Sequence, residues 1–155
     1  MIVVGFDPGL ANTGFSVVEK KSNDFFLIDA GVINPKVKDP LELRIHTIFN
    51  ESLKIIKKFH PNYVAIENVF FGKNVQSAIK LGQAKAAIML AATDLEVKLV
   101  DYTPREIKQS ITGNGSASKD QVEFMVKKIF KLNDGFNKKD ISDAIAIGWC
   151  ALNRI

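Results

Sequence analysis

At 155 residues and 46% hydrophobic content, the chain is sized for one domain, residues 1–155, with a real core. No repeat, low-complexity tract or linker argues for a second domain. Cys150 is the only cysteine, which excludes an intrachain disulfide and favours a reducing, intracellular home with Cys150 as a buried core thiol. The apolar stretch Ala84 to Ala92 is interrupted by Lys85 and is too short to span a bilayer, and Met1 runs into a strand without a basic leader. Neither membrane insertion nor a signal peptide is therefore expected. The net charge of +4 is modest but unevenly spread. Lys119, Lys127, Lys128, Lys131, Lys138 and Lys139 outnumber Asp120, Glu123 and Asp134 in one segment, a pattern that fits a polyanionic partner and equally a solvated lysine-rich surface.

In chain order, residues 2–7 read as a strand, followed by a Pro8-Gly9 turn and the loop Leu10-Ala11-Asn12-Thr13-Gly14. Phe15 to Glu19 and Phe25 to Ile33 alternate as two more strands around a Ser22-Asn23-Asp24 turn. Pro40 opens a helix whose apolar positions Leu41, Ile45, Ile48, Phe49, Leu53 and Ile56 recur at helical spacing, and Pro61-Asn62 ends it. Tyr63 to Glu67 is a fourth strand, Val75 to Thr93 a long helix, Val97 to Asp101 a fifth strand. Thr103-Pro104 starts a short helix. Ser118-Lys119-Asp120-Gln121 is a capping-box pattern that opens another, ending at Phe130, and a last helix runs from Lys139 to Leu152. Three meandering strands followed by alternating strands and helices predict an α/β domain, a five-stranded mixed sheet with helices on both faces.

Against that frame four acidic residues stand out. Asp7 ends Ile2-Val3-Val4-Gly5-Phe6, Glu67 ends Tyr63-Val64-Ala65-Ile66, and Asp140 and Asp143 lie three apart in an otherwise apolar helix. Embedded carboxylates are costly unless paired or bound to a cation, and the same segments offer only Lys138 and Lys139 as counter-charge. Divalent metal held by carboxylates is the economical explanation and points to phosphate chemistry. Strand alternation puts Asp7 on the face of Val3 and Gly5. If the first and fourth strands are parallel neighbours, Glu67 emerges beside Asp7 at their carboxyl ends, where open α/β sheets place ligands. Asp140 and Asp143 share a helix face and can close over that edge, with Gly148 letting the helix pack closely. Two of them also have a plainer reading, Asp7 as a turn former and Asp140 as a helix cap, whereas Glu67, between Ile66 and Val69, has no structural excuse.

These residues, taken in order, resemble the RuvC family of Holliday-junction resolvases over nearly the whole chain. Gly5-Phe6-Asp7-Pro8-Gly9 with Thr13-Gly14 is similar to that family's opening strand. Ala65-Ile66-Glu67-Asn68-Val69-Phe70, Lys73-Asn74, Ser77-Ala78 and Lys80-Leu81-Gly82-Gln83-Ala84 are similar to its most characteristic stretch. Lys108-Gln109, Gly113, Gly115-Ser116-Ala117 and Lys119 match its basic loop, and Asp140, Asp143-Ala144 and Ala146 its last helix. The resemblance implies an RNase H-like fold, a homodimer that nicks four-way junction DNA symmetrically, and partners of the RuvA/RuvB branch-migration type. It implies two Mg²⁺ ions, with Mn²⁺ as a substitute, held by Asp7, Glu67, Asp140 and Asp143. Two such ions about 4 Å apart activate water on one side and stabilise the leaving 3′-oxygen on the other. Asp7 is expected to bridge them, Glu67 to serve the leaving-group side, and Asp143 with Asp140 the nucleophile side.

Lys108 and Lys119 match positions near the scissile phosphate, so they join the catalytic set. Lys119 also falls in the first turn of a capped helix, where free amides favour an anion. Phe70, rather than Phe71, matches the position expected to stack on unpaired bases at the crossover. Lys73, Asn74, Lys80, Arg105 and Ser116 complete the expected DNA contacts. The Val75–Thr93 helix, apolar around most of its circumference, reads as packing on the sheet and on a second copy, or as fully internal in a monomer. An actin-like ATPase also carries an Asp-Pro-Gly loop but needs two domains. A nuclease for RNA–DNA hybrids and a non-catalytic junction-binding module remain as alternatives. The expected location is the cytoplasm, at the nucleoid.

Overall fold

Alternating apolar residues and tight polar turns build the first three strands: β1 (Ile2–Asp7), β2 (Thr13–Lys21) and β3 (Asp24–Ile33). They form an antiparallel meander, turned between β2 and β3 at Ser22, whose φ of 53° lies in the left-handed region. The computed structural model describes residues 1–68, 74–133 and 139–155, with the side chains of Lys139 and Asp140 left out. Thr13 already pairs with Ile33, so β2 begins two residues earlier than the alternation alone suggests.

Helix α1 (Leu41–Phe59) starts after Pro40 and ends at His60, which takes a left-handed φ of 45°. β4 (Tyr63–Glu67), α2 (Val75–Asp94) and β5 (Lys98–Tyr102) follow. β4 runs parallel to β1 and β5 parallel to β4, giving the order β3-β2-β1-β4-β5. The expected neighbourhood of the first and fourth strands is thus present. α3 (Pro104–Thr112) and α4 (Lys119–Ile129) each open with a reciprocal capping box, Thr103 with Glu106 and Ser118 with Gln121. α5 (Lys139–Arg154) closes the chain.

The pleat divides the core in two. Val4, Phe6, Val17, Val64 and Ile66 pack on α1 and α2, while Val3, Val18 and Ala65 pack on α3, α4 and α5. Cys150 is buried in the second core, as expected, and burial raises its thiol above the ordinary range. α5 approaches β1 and β2 intimately. A Cβ on Gly5 would stand 2.5 Å from the Ala144 carbonyl oxygen, and one on Gly148 2.7 Å from Val18 Cγ2. α2 buries Ala84, Ala87, Ile88, Ala91 and Ala92 but leaves Val75, Ile79, Met89 and Leu90 exposed. The fully internal reading of this helix is therefore corrected: its second apolar face is exposed among the described residues. Among the described residues, no helix is long and apolar enough to cross a membrane.

Candidate active site

Phe6 and Ile66 are register partners, so Asp7 and Glu67 follow them side by side at the carboxyl ends of β1 and β4. Both project to the face covered by α5, because Val3 and Gly5, like Tyr63 and Ala65, lie on that side. The loop after Asp7 is fastened from within and from α1. The Thr13 hydroxyl donates to the Gly9 carbonyl at 2.8 Å and accepts from the Gly9 N–H at 3.2 Å, while Arg44 Nη2 donates to the Leu10 carbonyl at 2.8 Å. Across the cleft, the Ser16 hydroxyl donates to the Ala144 carbonyl at 2.8 Å, anchoring α5 one residue beyond Asp143.

Asp7, Glu67 and Asp143 line one cleft of about 210 Å³, together with Lys108 from α3 and Lys119 from the first turn of α4. Ile107, Val122 and Ile147 form its apolar walls. Sequence reading missed this lining, because these residues carry only the helical periodicity of ordinary core.

Electrostatics bind the five charged groups into one unit. Burial raises the Glu67 carboxyl above its ordinary range; the Asp143 charge raises it further, and Lys119 and Lys108 act against both. Lys119 is raised chiefly by Asp143, to which its Nζ donates at 3.2 Å, with Asp7 and Glu67 contributing. The counter-charge that the carboxylates' own segments do not offer comes from outside them: Lys119, 24 residues from Asp143, supplies it. Among the described residues, three carboxylates against two ammonium groups still leave an excess negative charge in the cleft.

The other expected residues are placed variously. Arg105 is exposed, its side-chain stem lying over Gly115: a Cβ there would meet Arg105 Cγ at 2.7 Å. Ser116 is exposed in a loop cross-braced by Gln109, which donates to the Gly113 carbonyl at 2.7 Å and accepts from the Gly115 N–H at 2.9 Å. Asn74 caps α2, its side chain accepting from the Ser77 N–H at 3.2 Å, and Lys80 is exposed on the same helix. Phe70, Phe71 and Lys73, and the side chain of Asp140, lie outside the described residues.

A Thermus thermophilus RuvC solved with a Holliday junction substrate matches this structure with a TM-score of 0.90 at 32% identity, covering 97% of this chain and 92% of the other. Fold and cleft thus define an RNase H-like domain with carboxylates gathered at the ends of its central strands. In sequence, the model of crossover junction endodeoxyribonuclease RuvC matches residues 3–151. The RuvC of Halothermothrix orenii is 41% identical over 97% of this chain and 91% of its own, and that of Chloroherpeton thalassium 42% identical over 97% and 81%. The chain belongs to the RuvC family of crossover junction endodeoxyribonucleases, which are hydrolases.

Proposed function

We propose that this protein resolves four-way DNA junctions by paired, symmetric phosphodiester hydrolysis. The observation that carries the reading is the convergence of Asp7, Glu67 and Asp143, from three separate elements, with Lys108 and Lys119 in one cleft. The donor set fits a hard divalent cation, being all oxygen and in net negative surroundings. Among the described residues no three such ligands stand as a preformed cage.

Asp7, Glu67 and Asp143 would hold Mg²⁺, two ions per site, with Asp140 as the fourth ligand because it lies one helical turn before Asp143. Bound Mg²⁺ would supply the charge that activates water and stabilises the leaving 3′-oxygen, and Mn²⁺ would substitute. Lys108 and Lys119 pair with the scissile phosphate, and Lys119 must leave Asp143 to do so. Lys80, Arg105, Ser116 and Asn74 contact the DNA arms, while Phe70 and Lys73 meet the crossover.

Symmetric nicking needs two clefts, and the exposed stripe of α2 supports a two-fold homodimer. Junction binding beside RuvA/RuvB-type branch-migration proteins, in the cytoplasm, completes the reading. The test is a labelled four-way junction with Mg²⁺, set beside linear duplex and RNA–DNA hybrid. Nicks in the junction alone are expected. Hybrid cleavage would reassign the substrate, and junction binding without nicking would favour a non-catalytic module.

A further inference from the structure

The Lys85 ammonium is drawn back from solvent on the face of the sheet opposite the cleft, with a side chain 13% exposed. Its Nζ donates to Asp101 Oδ2 at 2.9 Å and to Asn68 Oδ1 at 3.4 Å. Asn68 directly follows Glu67, and its N–H donates to the Tyr102 carbonyl at 2.7 Å, carrying the β4–β5 pairing one residue past the Glu67–Tyr102 pair. Successive strand side chains alternate in direction. Glu67 therefore enters the cleft while Asn68 and Asp101 turn back towards α2, where one ammonium ties both strand ends.

Removing a lysine from water at such a place is costly, and an apolar residue would pack there at less cost. The ammonium neutralises the carboxylate of β5 and at the same time donates to the Asn68 amide at the end of β4, which an apolar side chain cannot do. The bridge fixes the rotation of the last residues of β4, and so the direction in which the Glu67 carboxylate points. It also joins that carboxylate to α2, whose outer stripe is exposed. We infer that Lys85 is a positioning residue, holding Asn68 and Asp101 so that Glu67 is aimed into the cleft by the helix that carries the dimer surface. The inference rests on the resolvase reading above.

The experiment compares the full chain with its Lys85→Met and Lys85→Arg variants. Single-turnover junction nicking is followed across Mg²⁺ concentrations, beside junction affinity, dimer mass and the rise in Tm that Mg²⁺ produces without substrate. Lys85→Met is expected to slow nicking by about tenfold or more, the consequence of a slightly misaimed ligand. It should need more Mg²⁺ and show a smaller Mg²⁺-induced rise in Tm, with junction affinity and dimer mass unchanged. Lys85→Arg should recover most of the rate. Asn68→Ala, which leaves the Lys85–Asp101 pair intact, should reproduce the defect, and the Lys85→Met/Asn68→Ala double variant should be no worse than either.

Wild-type rate and Mg²⁺ requirement in Lys85→Met would overturn the inference alone. So would parallel losses of dimer mass and rate that arginine does not restore, since that pattern marks a purely structural lysine. A wild-type protein that fails to nick junctions at any Mg²⁺ concentration would overturn the resolvase reading, and this inference with it.

Discussion

Two helices of this protein carry a glycine in mid-course, and the surroundings of those glycines differ completely. Gly148 of α5 lies against the sheet, where a Cβ would press on Val18 and Ser16. Gly82 of α2 has nothing within 4 Å of where its Cβ would be. A glycine inside a helix costs about 1 kcal/mol relative to alanine. At Gly148 the close docking of the helix that carries Asp143 explains that cost; at Gly82 nothing among the described residues does. Gly82 is exposed, as are Val75, Ile79, Ala86, Met89 and Leu90 along the same side of α2. The comparison teaches that small residues signal close approach without saying to what: α5 meets its own sheet, and the outer face of α2 would meet a second copy under the proposed homodimer.

The largest expected effect breaks the first half of that comparison. Gly5→Ala puts a methyl group against the Ala144 carbonyl and the Gly148 nitrogen, backbone atoms with no room to give. A loss of about 3 kcal/mol in denaturant unfolding is expected, the upper end for overpacking. A variant of wild-type stability would show that α5 does not dock as described.

On α2 the signs separate fold from assembly. Ile79→Glu replaces an exposed apolar side chain and should leave the protomer folded by circular dichroism while converting the dimer to a monomer by light scattering. Gly82→Ala should stabilise the isolated protomer by about 1 kcal/mol through helix propensity, measured in the Ile79→Glu background, yet weaken the dimer in an otherwise wild-type chain. An unchanged dimer in both variants would assign the stripe no role in assembly.

The smallest effect concerns Glu67 in the metal-free protein. Burial, then Asp143, raise its carboxyl, so the folded state holds the charged form reluctantly. That penalty is absent below the ordinary carboxylate range, grows as pH rises through it, and is complete above the raised value. Glu67→Gln should therefore raise Tm slightly at neutral pH without metal, with the gain disappearing in acid. Added Mg²⁺ should stabilise wild type more than the variant. A variant less stable than wild type at neutral pH would show that Glu67 contributes to the fold.

Much of this was legible in the sequence because it is local. The capping box at Ser118 and the helix start at Thr103-Pro104 follow from short spacings, and the strand alternation at β1 and β4 directs Asp7 and Glu67 to one face. Their adjacency was legible only as a condition on strand order, which the parallel β1–β4 pairing meets. The Lys119–Asp143 pair was not, since it depends on how α4 lies against α5 rather than on any spacing. Ser16 and Arg44 escaped notice for the same reason: each acts on a residue far along the chain, and each is an unremarkable polar residue in its own segment. Lys85 stood out only as a break in an apolar run, its partners at the ends of β4 and β5 being invisible there. The apolar stripe of α2 was visible as excess hydrophobicity, but its division into a covered and an uncovered face needed the packed chain.

The measurement that tests the central claim most directly maps nicks on a four-way junction with Mg²⁺ for wild type and Asp7→Asn. Wild type should nick two opposed strands at symmetry-related positions. Asp7→Asn should bind the junction with little change and lose nicking by about a thousandfold or more, as removal of several kcal/mol of charge stabilisation predicts. Symmetric nicking at the wild-type rate by Asp7→Asn would contradict an active site built on this acidic cleft.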